Sequence, residues 1–408
     1  MKVRHCSIHF CAQRTSLTIL SWGSSVVIHS SAPTRDLPYS TVWEHTLALT
    51  AVRYATTFTC VFANCVPNDP VLVPFPDHDW IHNYQNASSL CSGHMGKNYV
   101  FVFTGRWRYL RVQFPYLFAN LRVNGGVIDY IHYVMINYDP FTQGKLESLA
   151  SMVRNLTKND ETLVINYLSY PRGHPPSNAK KGAYATAYYD YINGIFRHPC
   201  NRYFKVDDDV VYIHPGTFEN TLSRDRGEAC SLRFANTAGA NWRCSFIHQS
   251  MGIYNNSAIN PNDLHFEFRT NGKCGWSSLP CARLSLDAFI ALYKSKQLSR
   301  YLFNGTYLLT DKMRFSINFF MIDSSAISLK ALAETWPIGQ DDEDWWTRQY
   351  ARKTNPHCIV GNSLVVHFSY SKTAKSLEHL NMIKEFEAIA VAETYTKVPP
   401  QIWSLLEV

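Results

Sequence analysis

From residue 99 to residue 206 the chain alternates short, unbroken apolar runs with longer stretches of helical periodicity, and that alternation limits the folds open to it. The runs are Tyr99–Thr104, Val127–Ile136, Thr162–Tyr167 and Arg202–Val206, and the stretches between them are Arg108–Asn124, Lys145–Asn155 and Ala179–Phe196. A strand that is apolar at consecutive positions is covered on both faces. Parallel neighbours in a sheet need a crossover, usually helical, to connect them. The pattern predicts βαβ units in an α/β domain with a mainly parallel central sheet flanked by helices. Composition agrees, since 46% apolar against 17% charged residues is enough to build a core.

The remainder is less regular. Leu286–Phe303 and Ala374–Thr394 are expected to be helices, and Met313–Asp323 and Ile359–Phe368 strands. Residues 1–98, with turn-rich pieces such as Val66–Pro70 and Pro74–His78, read as a leader and an irregular extension. Residues 99–395 then form one catalytic-type domain, with a first half at 99–214 and a mixed second half at 215–395.

In an open parallel sheet, ligands bind outside the carboxyl ends of the strands. The first run there ends in Thr104-Gly105-Arg106, the second in Asn137-Tyr138-Asp139 and the fourth in Asp207-Asp208-Asp209. Three consecutive carboxylates beside apolar runs repel one another unless a cation joins them. Along an extended segment Asp207 and Asp209 face one way and Asp208 the other. Two hard oxygen donors on one face suit Mn2+ or Mg2+ bridging to a diphosphate. A solvated acidic turn is the bland alternative, and the flanking apolar runs Tyr203–Val206 and Val210–Ile213 weigh against it.

Two later pieces fit the same site. Gln340-Asp341-Asp342-Glu343-Asp344-Trp345-Trp346 is a second acidic cluster where a loop enters a helix, a place where acids also serve simply to offset the helix dipole. His367 interrupts the apolar run Leu364–Phe368, as either a satisfied core histidine or a third metal ligand. Arg106 can reach a base or phosphate, or be a surface arginine that opens the following helix.

The order strand-Gly105-Arg106, apolar run-Asp207-Asp208-Asp209, late Asp342-Glu343-Asp344 before aromatics and Val366-His367-Phe368 resembles nucleotide-sugar-dependent glycosyltransferases of the GT-A fold, over residues 99 to 370. The resemblance implies a Rossmann-like sheet and an Asp-x-Asp metal motif. Asp207, Asp209 and His367 then hold the metal, while Arg106, Asp207 and Asp208 bind the donor. Asp344, with Asp342 as runner-up, acts as the base of an inverting transfer, and Trp345 or Trp346 gives the acceptor sugar an apolar platform. The implied partners are a nucleotide-diphosphate sugar and a carbohydrate or glycoconjugate acceptor. A glycine-rich acceptor loop is expected between the acidic motifs, at Met251-Gly252 or Asn271–Gly275. Three other readings share some of these residues. One is a non-catalytic carbohydrate-binding relative, another a metal-dependent phosphohydrolase. The third is a glycoside hydrolase, which leaves the triple aspartate unexplained.

The net charge of +7 is scattered, with no stripe of basic residues to track a phosphate backbone, so nucleic acid is not an expected partner. No stretch of 18 apolar residues spans a bilayer, which leaves membrane association open. Eleven cysteines without paired CxxC spacing argue against structural zinc, and the odd count leaves at least one free or joined to another chain. Acceptor tripeptides at Asn86, Asn155, Asn255 and Asn304 point with the cysteines to the secretory pathway, in the Golgi or ER lumen. Lys2 and Arg4 before the serine-diluted Ser16–Ile28 make only a weak signal region, so either the signal is weak or the natural N-terminus differs.

Overall fold

The computed structural model describes residues 5–10, 15–22, 25–31, 96–135, 139–167, 188, 200–223, 230–239, 242–253, 278–309, 314–335, 341–354, 356–368 and 371–407. The chain divides into two compact units, residues 1–69 and 70–408. In the first, β1 (His5–Phe10), β2 (Thr15–Trp22) and β3 (Ser25–Ser31) form an antiparallel ladder in sequence order. The serine-diluted stretch read as a signal region contributes β2 and β3.

The described strands of the second unit are β4 (Asn98–Thr104), β5 (Tyr130–Met135), β6 (Leu163–Tyr167), β7 (Arg202–Asp207), β8 (Val210–Ile213), β9 (Arg233–Gly239), β10 (Thr306–Leu309), β11 (Phe319–Asp323) and β12 (His357–His367). They form one mixed sheet in the order β10-β12-β9-β11-β7-β4-β5-β6, with β8 also paired to β12. The side running β7-β4-β5-β6 is parallel throughout. Beyond β7 the direction alternates: β11 is antiparallel to β7 and β9, and β12 is parallel to β9.

Helices surround this sheet: α1 (Trp107–Ala119), α2 (Pro140–Thr157), α3 (Thr217–Leu222), α4 (Trp242–Ser250), α5 (Leu279–Lys294), α6 (Leu329–Thr335), α7 (Asp342–Asp344), α8 (Ser371–His379), α9 (Met382–Thr394) and α10 (Pro400–Leu406). Two apolar layers show why the central strands are mostly apolar. Val100, Val102, Phe204 and Val206 pack into one layer with α1, α5 and α9. Phe101, Phe103 and Tyr203 face the opposite layer with Phe320, Trp345 and Trp346. Consecutive side chains alternate between two buried sides, so both faces call for apolar residues, with buried Lys205 of β7 a charged exception.

Several boundaries move for local reasons. The helix expected from Lys145 starts at Pro140, because Asp139 caps it by accepting from the Thr142 amide at 3.1 Å. The helix expected at Leu286–Phe303 is α5, which begins at Leu279 just before Pro280 and ends at Lys294. The helix expected over Ala374–Thr394 is two, broken where Asn381 adopts φ 54°. The strand expected from Met313 starts only at Phe319, and Arg314–Asn318 lead into it as a non-strand strap. The expected helix Ala179–Phe196 lies outside the described residues apart from Tyr188.

From β4 the chain builds β5 and β6 on one side, then returns to place β7 on the other. The carboxyl ends of β4 and β7 therefore meet at a topological switch point, the position at which open α/β sheets generally bind ligands. Arg106 follows β4 there, and Asp207 closes β7.

Candidate metal centre

Asp207 is the last residue of β7, Asp208 and Asp209 make the turn, and Val210 opens β8. The turn is held from two sides. Buried Gln113 of α1 donates from Nε2 to the carbonyls of Asp207 (2.6 Å) and Val210 (3.2 Å). The Phe368 amide donates to the Asp209 carbonyl at 2.9 Å. Antiparallel pairing of β8 with β12, with a register shift after Val366, brings His367 opposite Val210. Gly239 of β9 lies across from His367 at φ +103°, and a Cβ there would meet the His367 carbonyl oxygen at 2.3 Å. Only glycine lets the two strands close at that point.

The outcome is that Asp207, Asp209 and His367 each turn one ligand atom inward, all within 4.8 Å of one another. Asp209 and His367 are buried, and Asp207 is partly exposed. Two carboxylates and an imidazole form a mixed oxygen and nitrogen donor set that could hold a divalent cation.

Protein cations already sit on these acids. The Arg106 guanidinium grips Asp208, with Nε 3.0 Å from Oδ2 and Nη2 on the other oxygen, and Nη2 also lies 3.0 Å from Asp209 Oδ2. His367 Nε2 stands 3.1 Å from Asp209 Oδ1. Lys205, only 2% exposed, bonds Asp207 Oδ1 and donates to the Ile317 carbonyl at 3.1 Å. Burial alone would raise the Asp209 carboxyl, but His367 and Arg106 hold it well below the usual carboxylate range. Asp208 goes the other way: burial outweighs Arg106 and pushes it up to about 6. Burial would lower Lys205, yet Asp207 beside it keeps the amine charged and its pKa raised.

The late acidic cluster separates into different jobs. Asp341 is the cap of α7 and accepts from the Asp344 amide at 3.0 Å. Arg314 clasps Asp341 and Glu343 at 2.8 and 2.7 Å. Burial pushes Glu343 up to about 7 despite that arginine. Asp344 turns to Arg348 (2.9 Å) and Gln349 (3.1 Å). Asp342 faces the metal motif: its Oδ2 accepts from the Tyr188 hydroxyl at 3.0 Å, and it lies within the fields of Lys205 and Asp207. Burial first, and then Asp207, raise its pKa against Lys205.

The tryptophan platform needs correcting. Trp345 and Trp346 are both 0% exposed, packed on each other and on Tyr350, with Trp346 also against Phe320 and Tyr188. They are core residues and present no face to a sugar. Arg106 is spent on Asp208 and Asp209 and lies over the Tyr109 ring at 4.9 Å. Of the glycine-loop candidates, Gly252 lies in a turn at φ 73° and its carbonyl accepts from Arg300 at 3.3 Å, while Asn271–Gly275 is outside the described residues. Four residues that build the site escaped the sequence reading: Gln113, Lys205, Asn318 and Tyr188. Only Lys205, a charge inside the apolar run Tyr203–Val206, carried a signal that could have found it.

Asn155 and Asn304 are exposed, whereas Asn86 and Asn255 lie outside the described residues. A disulfide joins Cys230, just before β9, to Cys358 in β12, with Cα atoms 5.8 Å apart, and Cys200 and Cys281 are also disulfide-bonded. The Cys244 thiol is buried, its Sγ 4.0 Å from the Ala235 carbonyl. Among the described residues no helix is long and apolar enough to cross a membrane. No protein-family profile and no curated protein sequence matches the chain.

Proposed function

We propose that the chain is a metal-dependent glycosyltransferase of the GT-A type, moving a sugar from a nucleoside-diphosphate donor to a hydroxyl acceptor with inversion. The observation that carries this reading is the convergence of Asp207, Asp209 and His367 at the switch point of a half-parallel sheet. A divalent cation on these three would neutralise the charge of a departing diphosphate. The sugar's bond to the diphosphate oxygen breaks, a bond to the acceptor oxygen forms, and the acceptor proton passes to a carboxylate. Asp342 is the better placed base, because it faces the metal motif while Asp344 is paired with Arg348. Arg106 holds Asp208 and Asp209 in place beneath the donor.

Thermal melting with nucleoside diphosphates, with and without Mn2+, tests the reading. Ligand at about 100-fold above its Kd stabilises by about 2.7 kcal/mol, a shift of several degrees. We expect that shift with at least one nucleoside diphosphate plus Mn2+ and little with the nucleotide alone. A carbohydrate-binding relative would respond to neither. A phosphohydrolase would bind the metal and release inorganic phosphate from simple phosphate esters without a nucleotide preference. Either outcome overturns the transferase.

The oxidised cysteines and exposed sequons support placement in the secretory pathway. Expressed through a secretory host, the protein should lose mass on enzymatic removal of N-glycans, and Asn304→Gln and Asn155→Gln should each remove one increment. A band that does not move on deglycosylation would count against that route.

A further inference from the structure

The strap Arg314–Asn318 touches both acidic clusters. At one end Arg314 clasps Asp341 and Glu343. At the other, the Asn318 carbonyl accepts from the Asp207 amide at 2.8 Å, and the Ile317 carbonyl accepts from Lys205. The side chain of Asn318, only 2% exposed, donates from Nδ2 to Asp207 Oδ2 at 3.2 Å. The amide is oriented from behind, because Ser316 Oγ donates to Asn318 Oδ1 at 2.6 Å. A hydroxyl donor on that oxygen leaves the NH2 group as the one facing the carboxylate.

We infer that Asn318 is the positioning residue for the metal ligand Asp207, with Ser316 acting through it. Asp207 is the most exposed of the three metal-facing side chains and ends its strand, so packing does little to fix its rotamer. Lys205 on Oδ1 and Asn318 on Oδ2 pin both carboxylate oxygens, and each oxygen keeps a lone pair for a cation. Asn318 is neutral, so losing it loosens Asp207 without altering the charge of the site. Lys205 does not allow that separation. This inference rests on the metal-centre reading above.

The test is Mn2+ binding to the full chain, followed by loss of the free-ion paramagnetic resonance signal, with circular dichroism and melting recorded alongside. Partners that orient a metal ligand typically contribute about 10- to 100-fold to affinity. Asn318→Ala should weaken Mn2+ binding by about that factor at wild-type secondary structure. Ser316→Ala should weaken it less, and should add nothing in the double variant with Asn318→Ala. Should Asn318→Ala not fold, Ser316→Ala and the milder Asn318→Ser carry the same test. If the wild type binds Mn2+ and the folded variants bind it equally well, the positioning role is overturned and the metal centre stands. If the wild type itself binds no Mn2+, the metal reading fails and takes this inference with it.

Discussion

Asp209→Asn should abolish Mn2+ binding and turnover together while leaving the fold intact. The carboxylate is the hub of the centre, with His367 at 3.1 Å on one oxygen and Arg106 at 3.0 Å on the other. Asparagine keeps the shape but loses the negative charge and one acceptor, so a donor of the metal set is removed outright. The loss should exceed the roughly 10- to 100-fold that follows from disturbing an outer partner. Calorimetric titration with Mn2+ measures it, and a variant that binds Mn2+ within a few fold of wild type removes Asp209 from the ligand set. Activity that persists in chelator would reject the metal centre altogether.

The second large effect separates two neighbouring acids. Asp342→Asn should lower kcat by about 100- to 10,000-fold, the usual contribution of a general base, while donor and metal binding persist. Asp344→Asn should do little to catalysis and cost only the exposed pair with Arg348, about 0.3–0.5 kcal/mol. The sign of the pH effects is an independent check. Burial raises the Asp342 pKa, so the rate should fall as pH drops through a value above the ordinary carboxylate range. A carboxyl whose folded pKa is raised favours the fold at low pH and loses that contribution as pH rises through the folded value. Asp342→Asn should therefore melt no lower than wild type near neutral pH. If instead Asp344→Asn stops turnover and Asp342→Asn does not, the base has been assigned to the wrong residue. A product that keeps the donor's anomeric configuration would mean that no such base is needed.

Much of this was legible in the residues themselves. A strand with no charged position, such as Tyr99–Thr104, announces burial on both faces, and three acids between two apolar runs announce a demand for cations. His367 stood out because an imidazole inside Leu364–Phe368 needs a partner. Strand β9 did not stand out, because Arg-Phe-Ala-Asn-Thr-Ala-Gly has weak strand propensity and is held by its neighbours on both sides. The bearing of Asp342 and Asp344 was hidden for a geometric reason. Both lie in one short helical turn, where successive side chains point about 100° apart, and periodicity alone does not say which bearing meets β7. One clue was present, since Arg348 stands four residues after Asp344 and offers it a partner on its own face. Paired tryptophans carry no such clue. The same two letters serve a sugar platform or a core, and here the opposite apolar layer claims them.

The protein groups already bonded to these carboxylates have a consequence for handling the protein. A zinc finger unfolds when its metal leaves, because nothing else holds its ligands. Here Lys205, Asn318, Arg106 and His367 hold the two carboxylates within the chain itself. On the proposed metal reading, folding and metal loading should therefore be separable, and the protein should melt at the same temperature before and after passage through chelator. Such a preparation could then be titrated with one divalent cation after another, so that the preferred ion would be read from recovery rather than from survival.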